Sequence, residues 1–185
     1  AAARNGSEPN DGKREDKGVA ILSTLPLEDV FFIELPYEAA RRVAASATVR
    51  DESGRGLRLA NLHLISAAGP SRVLTTGNGS RLRQGLAVGD ALDQAEAAGE
   101  PISTLLAGDF NTWSERETTL LRLREQFPDS PPPLEEGTHG PFPTDHILFR
   151  AGPGDVSLLE SSYLRLEESY HSDHHPILVR LRFAD

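Results

Sequence analysis

The sequence contains no cysteine and no methionine in 185 residues. Without cysteine there are no disulfides, no thiolate-bound zinc and no cysteine nucleophile, and no compartment is favoured over another. The missing methionine extends to the first position, where the chain begins Ala1-Ala2-Ala3-Arg4. That start reads as a processed product or a fragment from which any signal peptide is gone, so localisation is not legible. Positive charge is in short supply: 19 Lys and Arg stand against 28 Asp and Glu, a formal net charge of -9. This argues against a broad electropositive footprint for duplex DNA, leaves room for a local arginine patch, and suits a divalent-cation site. Aromatic residues are only 6% and are not interleaved with basic ones, so no stacking surface for single strands is evident. No apolar run is long enough to span a bilayer, which excludes stable helical insertion in a membrane.

What is present fits one soluble, monomeric α/β domain: 38% hydrophobic and 25% charged residues in a chain long enough for a sizeable core. Residues 1–17, with Asn5-Gly6 and Pro9-Asn10-Asp11-Gly12, read as a flexible N-terminal loop, and residues 18–185 as the domain. Short apolar or alternating runs predict strands at 19–23, 30–35, 43–49, 57–64, 102–107, 146–149, near 156–159 and at 177–183. A turn at Asp51-Glu52-Ser53-Gly54 joins the third and fourth of these. Residues 81–98 predict a helix whose apolar stripe is Leu82, Leu86, Leu92 and Ala95, weakened by Gly85 and Gly89. Ser114 is placed to cap a second helix running through Gln126. The loops at 71–80 and 128–143 would flank a crevice, and Arg72, Arg81 and Arg83 are candidates to meet phosphates there.

Two segments carry chemistry. Leu106-Ala107-Gly108-Asp109-Phe110-Asn111 ends an apolar run with a carboxylate and an amide, and Ser172-Asp173-His174-His175-Pro176 precedes another apolar run. Strand ends that deliver Asp, Asn and His into one crevice are how an α/β scaffold builds a metal-assisted hydrolase. If strand conformation persists past Asp109, Asp109 and Asn111 leave on the same face. By itself Gly-Asp-Phe-Asn is equally an ordinary turn. Asp173 offers oxygen to a hard cation. Asp145, in Thr144-Asp145-His146, is a candidate to fix the tautomer of His174. Asn61 and His63 share one face of Asn61-Leu62-His63-Leu64.

Taken in order, Gly18-Val19-Ala20-Ile21-Leu22-Ser23, Asn61-Leu62-His63-Leu64, Gly108-Asp109-Phe110-Asn111, Thr144-Asp145-His146-Ile147 and Ser172-Asp173-His174-His175-Pro176-Ile177 resemble the endonuclease/exonuclease/phosphatase superfamily, the DNase I-like fold. The resemblance runs from Gly18 to the C-terminus, with Arg81-Leu82-Arg83-Gln84 as a weaker element of it. It implies a layered α-β-β-α sandwich and Mg²⁺- or Mn²⁺-dependent hydrolysis of a phosphoester by in-line attack of water. Under it Asp109 orients the water, Asn111 contacts the scissile phosphate, and His63 and His174 polarise phosphoryl oxygens. Asp145 holds His174, Asp173 serves the metal, and Asn61 and Arg81 meet the substrate phosphate. The substrate implied is a nucleic acid, a phosphorylated small molecule or a lipid head group.

One departure stands beside the match. The family begins with an Asn-bearing strand and a Glu-bearing strand ahead of the segment matched by Gly18-Val19-Ala20. Here Asn5, Glu8, Asn10 and Glu15 lie in no apolar context. The expectation is an N-terminally incomplete domain with weak metal binding and little activity. The alternative from another class is a non-catalytic interaction domain that kept the fold. A zinc site from His171, His174, His175 and an Asp is a further alternative, opposed by the opposite directions of adjacent side chains in an extended segment.

Overall fold

Alternation and apolar runs translate into nine strands and two helices among the described residues of a computed structural model, which covers residues 2–4, 18–38, 41–66, 78–153 and 156–183. In chain order they are β1 (Ala2–Arg4), β2 (Gly18–Ala20), β3 (Glu28–Glu34), β4 (Val43–Arg50), β5 (Gly56–His63), α1 (Asn78–Ala98), β6 (Ser103–Asp109), α2 (Thr118–Gln126), β7 (Asp145–Arg150), β8 (Val156–Arg165) and β9 (Ile177–Phe183). Of residues 1–17, Ala2–Arg4 form a strand paired with β2, which corrects the reading of that whole segment as a loop; Asn5, Glu8, Asn10 and Glu15 lie outside the described residues.

The centre is a five-stranded sheet in the order β3-β4-β5-β6-β7. Only the β5–β6 pair is parallel, and α1 lies within that connection. β4, β6 and β7 are buried on both faces over most of their length, as apolar runs rather than strict alternation require. Both helices pack on one face, where Leu62, Leu106, Phe110, Leu148, Val88, Leu92, Leu120 and Leu123 form one core. The other face carries β8–β9 and β1–β2, with Val49, Leu57, Leu105, Ile147 and Phe149 between the layers. Three layers, α-β-β, are therefore present among the described residues.

Helix α1 begins earlier than expected, at Asn78, and its buried stripe is Arg81, Gln84, Gly85, Val88, Gly89 and Leu92 rather than one built on Leu82 and Leu86, which are half-buried. The glycines are the reason. A Cβ on Gly89 would stand 2.1 Å from Gln126 Oε1, so α2 occupies the groove that the missing side chains leave. Helix α2 starts at Thr118 with Glu117 at its cap. Ser114 instead closes a turn, accepting from the Arg116 and Glu117 amides through its hydroxyl and carbonyl oxygens respectively.

Candidate active site

The sheet order decides what meets what. β5 and β6 run parallel and end together, and β7 starts antiparallel beside them. Register pairs His63 with Asp109 and Asp109 with Asp145, so three titratable residues stand in a row across three strands. The row closes on a cleft of about 530 Å³.

Asp109 is the centre of that row. The strand stops there, because Asn111 adopts a left-handed backbone at φ 52. The condition for a shared strand face is therefore not met, and an Asx turn brings the two together instead: the Asn111 amide N–H donates to Asp109 Oδ1 at 2.8 Å. Asn111 Nδ2 donates to Leu64 O at 2.9 Å and reaches Asp109 Oδ2 at 3.3 Å, so its N–H groups are committed within the protein. His63 Nε2 lies 3.3 Å from Asp109 Oδ2. Phe110 between them is fully buried and its N–H bonds to Thr144 O at 2.8 Å, which anchors the turn to the start of β7. Burial and then the neighbouring Asp145 charge push the Asp109 carboxyl up to about 6. The Asn111 N–H, His174 and Arg42 oppose that rise.

Gly108 explains how β5 and β6 come so close. Its φ is 140, and a Cβ there would sit 2.0 Å from Leu62 O and 2.8 Å from Asn61 Oδ1. Asn61 itself donates to Ala20 O at 2.8 Å, fastening β2 over β5. It is not part of the cleft lining, which corrects its assignment to substrate phosphate.

His174 arrives from the loop before β9. Its Nδ1 is 2.7 Å from Asp145 Oδ2. Burial disfavours its charge, but the Asp145 hydrogen bond and the charges of Asp145, Asp109 and Asp173 outweigh burial, so its pKa is raised. Thr144 donates through Oγ1 to the same Asp145 oxygen at 2.9 Å. Asp173 lines the rim with an exposed side chain.

Arg81 is not at the cleft. It is fully buried on α1, and its Nη2 is 2.7 Å from Glu117 Oε2. Its charge is neutralised inside the protein, so the assignment to substrate phosphate is corrected too. Gln84 bridges Ile65 N–H and Pro36 O, again a tie between elements. Arg83 pairs with Glu38 at 2.6 Å, away from the cleft lining, and Arg72 lies outside the described residues.

Sequence reasoning missed four lining residues: Arg42, Ser66, His139 and Thr144. His139 stacks on His174 with ring centroids 4.6 Å apart, and its Nδ1 is 3.0 Å from Asp173 O. The loop that carries it is tied down by Thr138, whose carbonyl accepts from His175 N–H at 2.8 Å. His171 is exposed and His175 turns to Leu166 O at 3.1 Å, so the three neighbouring histidines do not converge. Two sets offer ligand atoms within 4.8 Å of one another: Asp109, Asp145 and His174, and His139, Asp173 and His174. The first set fits a hard divalent cation, because two facing carboxylates repel each other and one is already driven toward its neutral form.

The model of the Endonuclease/Exonuclease/phosphatase family matches residues 3–174. A UPF0294 protein of Vibrio cholerae is 28% identical over 156 residues, 81% of this chain and 48% of that protein. The chain thus spans about half the length of that curated relative. The human nocturnin catalytic domain, solved with a bound sulfate anion, aligns with a TM-score of 0.62 at 21% identity over 86% of this chain and 60% of that one. An endonuclease/exonuclease/phosphatase from Bacteroides vulgatus aligns with a TM-score of 0.66 at 15% identity over 100% of this chain and 76% of that one. At these identities the solved structures establish the fold, which is DNase I-like.

Proposed function

This chain belongs to the Endonuclease/Exonuclease/phosphatase family, and from that membership we propose that it hydrolyses a phosphoester bond by in-line attack of water oriented by Asp109. The observation that carries the proposal is the convergence of His63, Asn111 and the Asp145–His174 pair on that one carboxylate. With its carboxyl pushed up to about 6, Asp109 is ionised at neutral pH yet basic enough to draw a proton from water. Asn111 holds Asp109 by donating to it. Asp145 fixes Nδ1 of His174 and leaves Nε2 to donate to a phosphoryl oxygen, and His63 lies on the other side of Asp109. Charge developing on phosphoryl oxygens is met by groups already in position, which is where such sites gain most of their rate.

Mg²⁺ or Mn²⁺ is the proposed cofactor, held by carboxylate oxygens of Asp109 and Asp145, with Asp173 at the rim. Bound there, the cation supplies Lewis-acid polarisation of the phosphoryl oxygen. The substrate class proposed is a phosphoester of a nucleic acid, a phosphorylated small molecule or a lipid head group.

The test is a phosphoester panel with Mg²⁺ or Mn²⁺ on wild type and Asp109→Ala. Expected is weak but metal-dependent turnover that falls at least about 100-fold in the variant. Equal turnover by both proteins overturns the mechanism, and no turnover of any ester by the wild type overturns the enzymatic reading.

A further inference from the structure

Arg42 is the one cleft-lining cation to which no role has been given. It stands immediately before β4, and β4 runs antiparallel to β5, so Arg42 lies at the sheet end where His63 and Asp109 also emerge. Its backbone oxygen accepts from Leu35 N–H at 2.9 Å, which closes β3 against β4 and fixes where the side chain departs. Arg42 is only 7% exposed, and neither its Nε nor its Nη1 has a hydrogen-bond partner.

A guanidinium remains charged in proteins and offers five donors in a planar fork. Burying such a group without a partner is unfavourable by several kcal/mol, and a compensating anion is the ordinary remedy. Arg81 shows that remedy in part, since Glu117 Oε2 accepts from its Nε and Nη2 while Nη1 stays unpartnered. For Arg42 the nearest help is the field of Asp109, which opposes the loss of its proton but makes no ion pair with it. Arg58 is also buried with Nε and Nη1 unpartnered, but it sits in the middle of β5 and does not line the cleft. Among the described residues, only for Arg42 do unpartnered Nε and Nη1 donors belong to a side chain that lines the cleft beside Asp109.

We propose that Arg42 is a phosphoryl-oxygen ligand, its fork taking the non-bridging oxygens of the substrate phosphate from the β4 side of the cleft. The sheet order β4-β5-β6-β7 puts Arg42 on one flank of Asp109 and the Asp145–His174 pair on the other. A tetrahedral oxyanion held between them is gripped from both sides above the carboxylate that orients water. This deepens the phosphoester reading and rests on it. A bidentate fork is specific for phosphate or sulfate geometry, whereas a lysine in its place supplies charge without direction.

The experiment titrates inorganic phosphate into the purified protein and follows arginine Nε–H and backbone amide signals by NMR, in wild type, Arg42→Gln, Arg42→Lys and, as control, Arg58→Gln. Expected are a shifted, exchange-protected Arg42 Nε–H in the wild type and at least about tenfold weaker phosphate binding in Arg42→Gln. Arg42→Lys should fall between these two and Arg58→Gln should match wild type. On a turned-over ester, Arg42→Gln should raise KM more than it lowers kcat, the mark of binding shared by ground and transition states. Unchanged phosphate affinity in Arg42→Gln, an Nε–H that does not move at saturation, or no phosphate binding by wild type each overturns the assignment. Should the variants fail to fold, the wild-type Nε–H signal decides alone. Phosphate held through Arg42 without turnover of any ester would sustain this assignment while removing the hydrolytic one.

Discussion

Asp145 Oδ2 and His174 Nδ1 lie 2.7 Å apart across 29 residues of chain. The contact joins the first residue of β7 to the loop before β9, and Thr144 Oγ1 buttresses the same oxygen. It raises the affinity of His174 for its proton against the opposing effect of burial. Asp145→Asn should therefore lower the His174 pKa, followed by histidine NMR titration, and reduce kcat by about 10²–10⁴-fold. A His174 titration that does not move in the variant would detach the pair from the mechanism.

Asp109→Asn should separate stability from activity. Its folded pKa, about 6, lies above the ordinary 3.8, so ionising this carboxylate disfavours the fold. The penalty is fully present above about pH 6 and vanishes below 3.8. The amide keeps an oxygen for the Asn111 N–H and carries no charge. In metal-free buffer at pH 7.5, Asp109→Asn should unfold on the order of 1–3 kcal/mol later than wild type, with the difference disappearing near pH 4 and activity lost. Chemical denaturation at the two pH values checks this; a less stable variant at pH 7.5 would contradict it.

How far these features could be read in advance depends on whether local pattern or packing sets them. β9 has the bounds the alternation of residues 177–183 predicts, and β6 follows from an apolar run that ends at Gly108. β8 is longer than its apolar start, because a register shift between Leu159 and Leu164 lets polar residues continue the ladder. The α1 stripe was misread because Gly85 and Gly89 carry no hydropathy signal, although both face α2. At the site, His63, Asp109, Asp145 and His174 were legible as strand-end polar residues. Arg42 and His139 were not, since only the β4–β5 pairing and the Thr138–His175 tie bring them in. Asn61 and Arg81 share motifs with site residues, yet Asn61 Nδ2 is held by Ala20 O and Arg81 Nε and Nη2 by Glu117.

Gly108 should tolerate no side chain. At φ 140 an L residue is strained, and the added Cβ meets the Leu62 carbonyl at 2.0 Å, a backbone atom that cannot swing aside. Gly54 also has a positive φ, 81, but nothing lies within 4 Å of its Cβ position. Gly108→Ala should destabilise by more than about 3 kcal/mol, or abolish folding, while Gly54→Ala should lose about 1–2 kcal/mol. Thermal unfolding of the two variants measures the contrast, and similar values would show that the β5–β6 approach is not what Gly108 provides.

His146 should make the protein sensitive to acid in the opposite sense to Asp109. The ring is 2% exposed, stacks edge-on against Phe110 at 5.3 Å, and has Nε2 2.8 Å from Thr112 Oγ1. Burial pushes its pKa down to about 4, with the hydrogen bond to Pro143 O opposing. The unfolded chain takes up the proton near 6.5 and the folded one only near 4, so the stability this neutral ring confers is present above pH 6.5 and is lost between 6.5 and 4. The loss is on the order of 3 kcal/mol. Over much of the same interval Asp109 relieves its own penalty, so the wild type should show a shallow net dependence. Asp109→Asn, which leaves His146 unopposed, should lose stability steeply between pH 6.5 and 4. His146→Gln, which keeps a hydrogen-bonding side chain but cannot charge, should instead gain stability as pH falls from 6 toward 4. Urea unfolding of the three proteins at half-unit pH steps measures the slopes, and parallel slopes in all three would place the acid response elsewhere in the molecule.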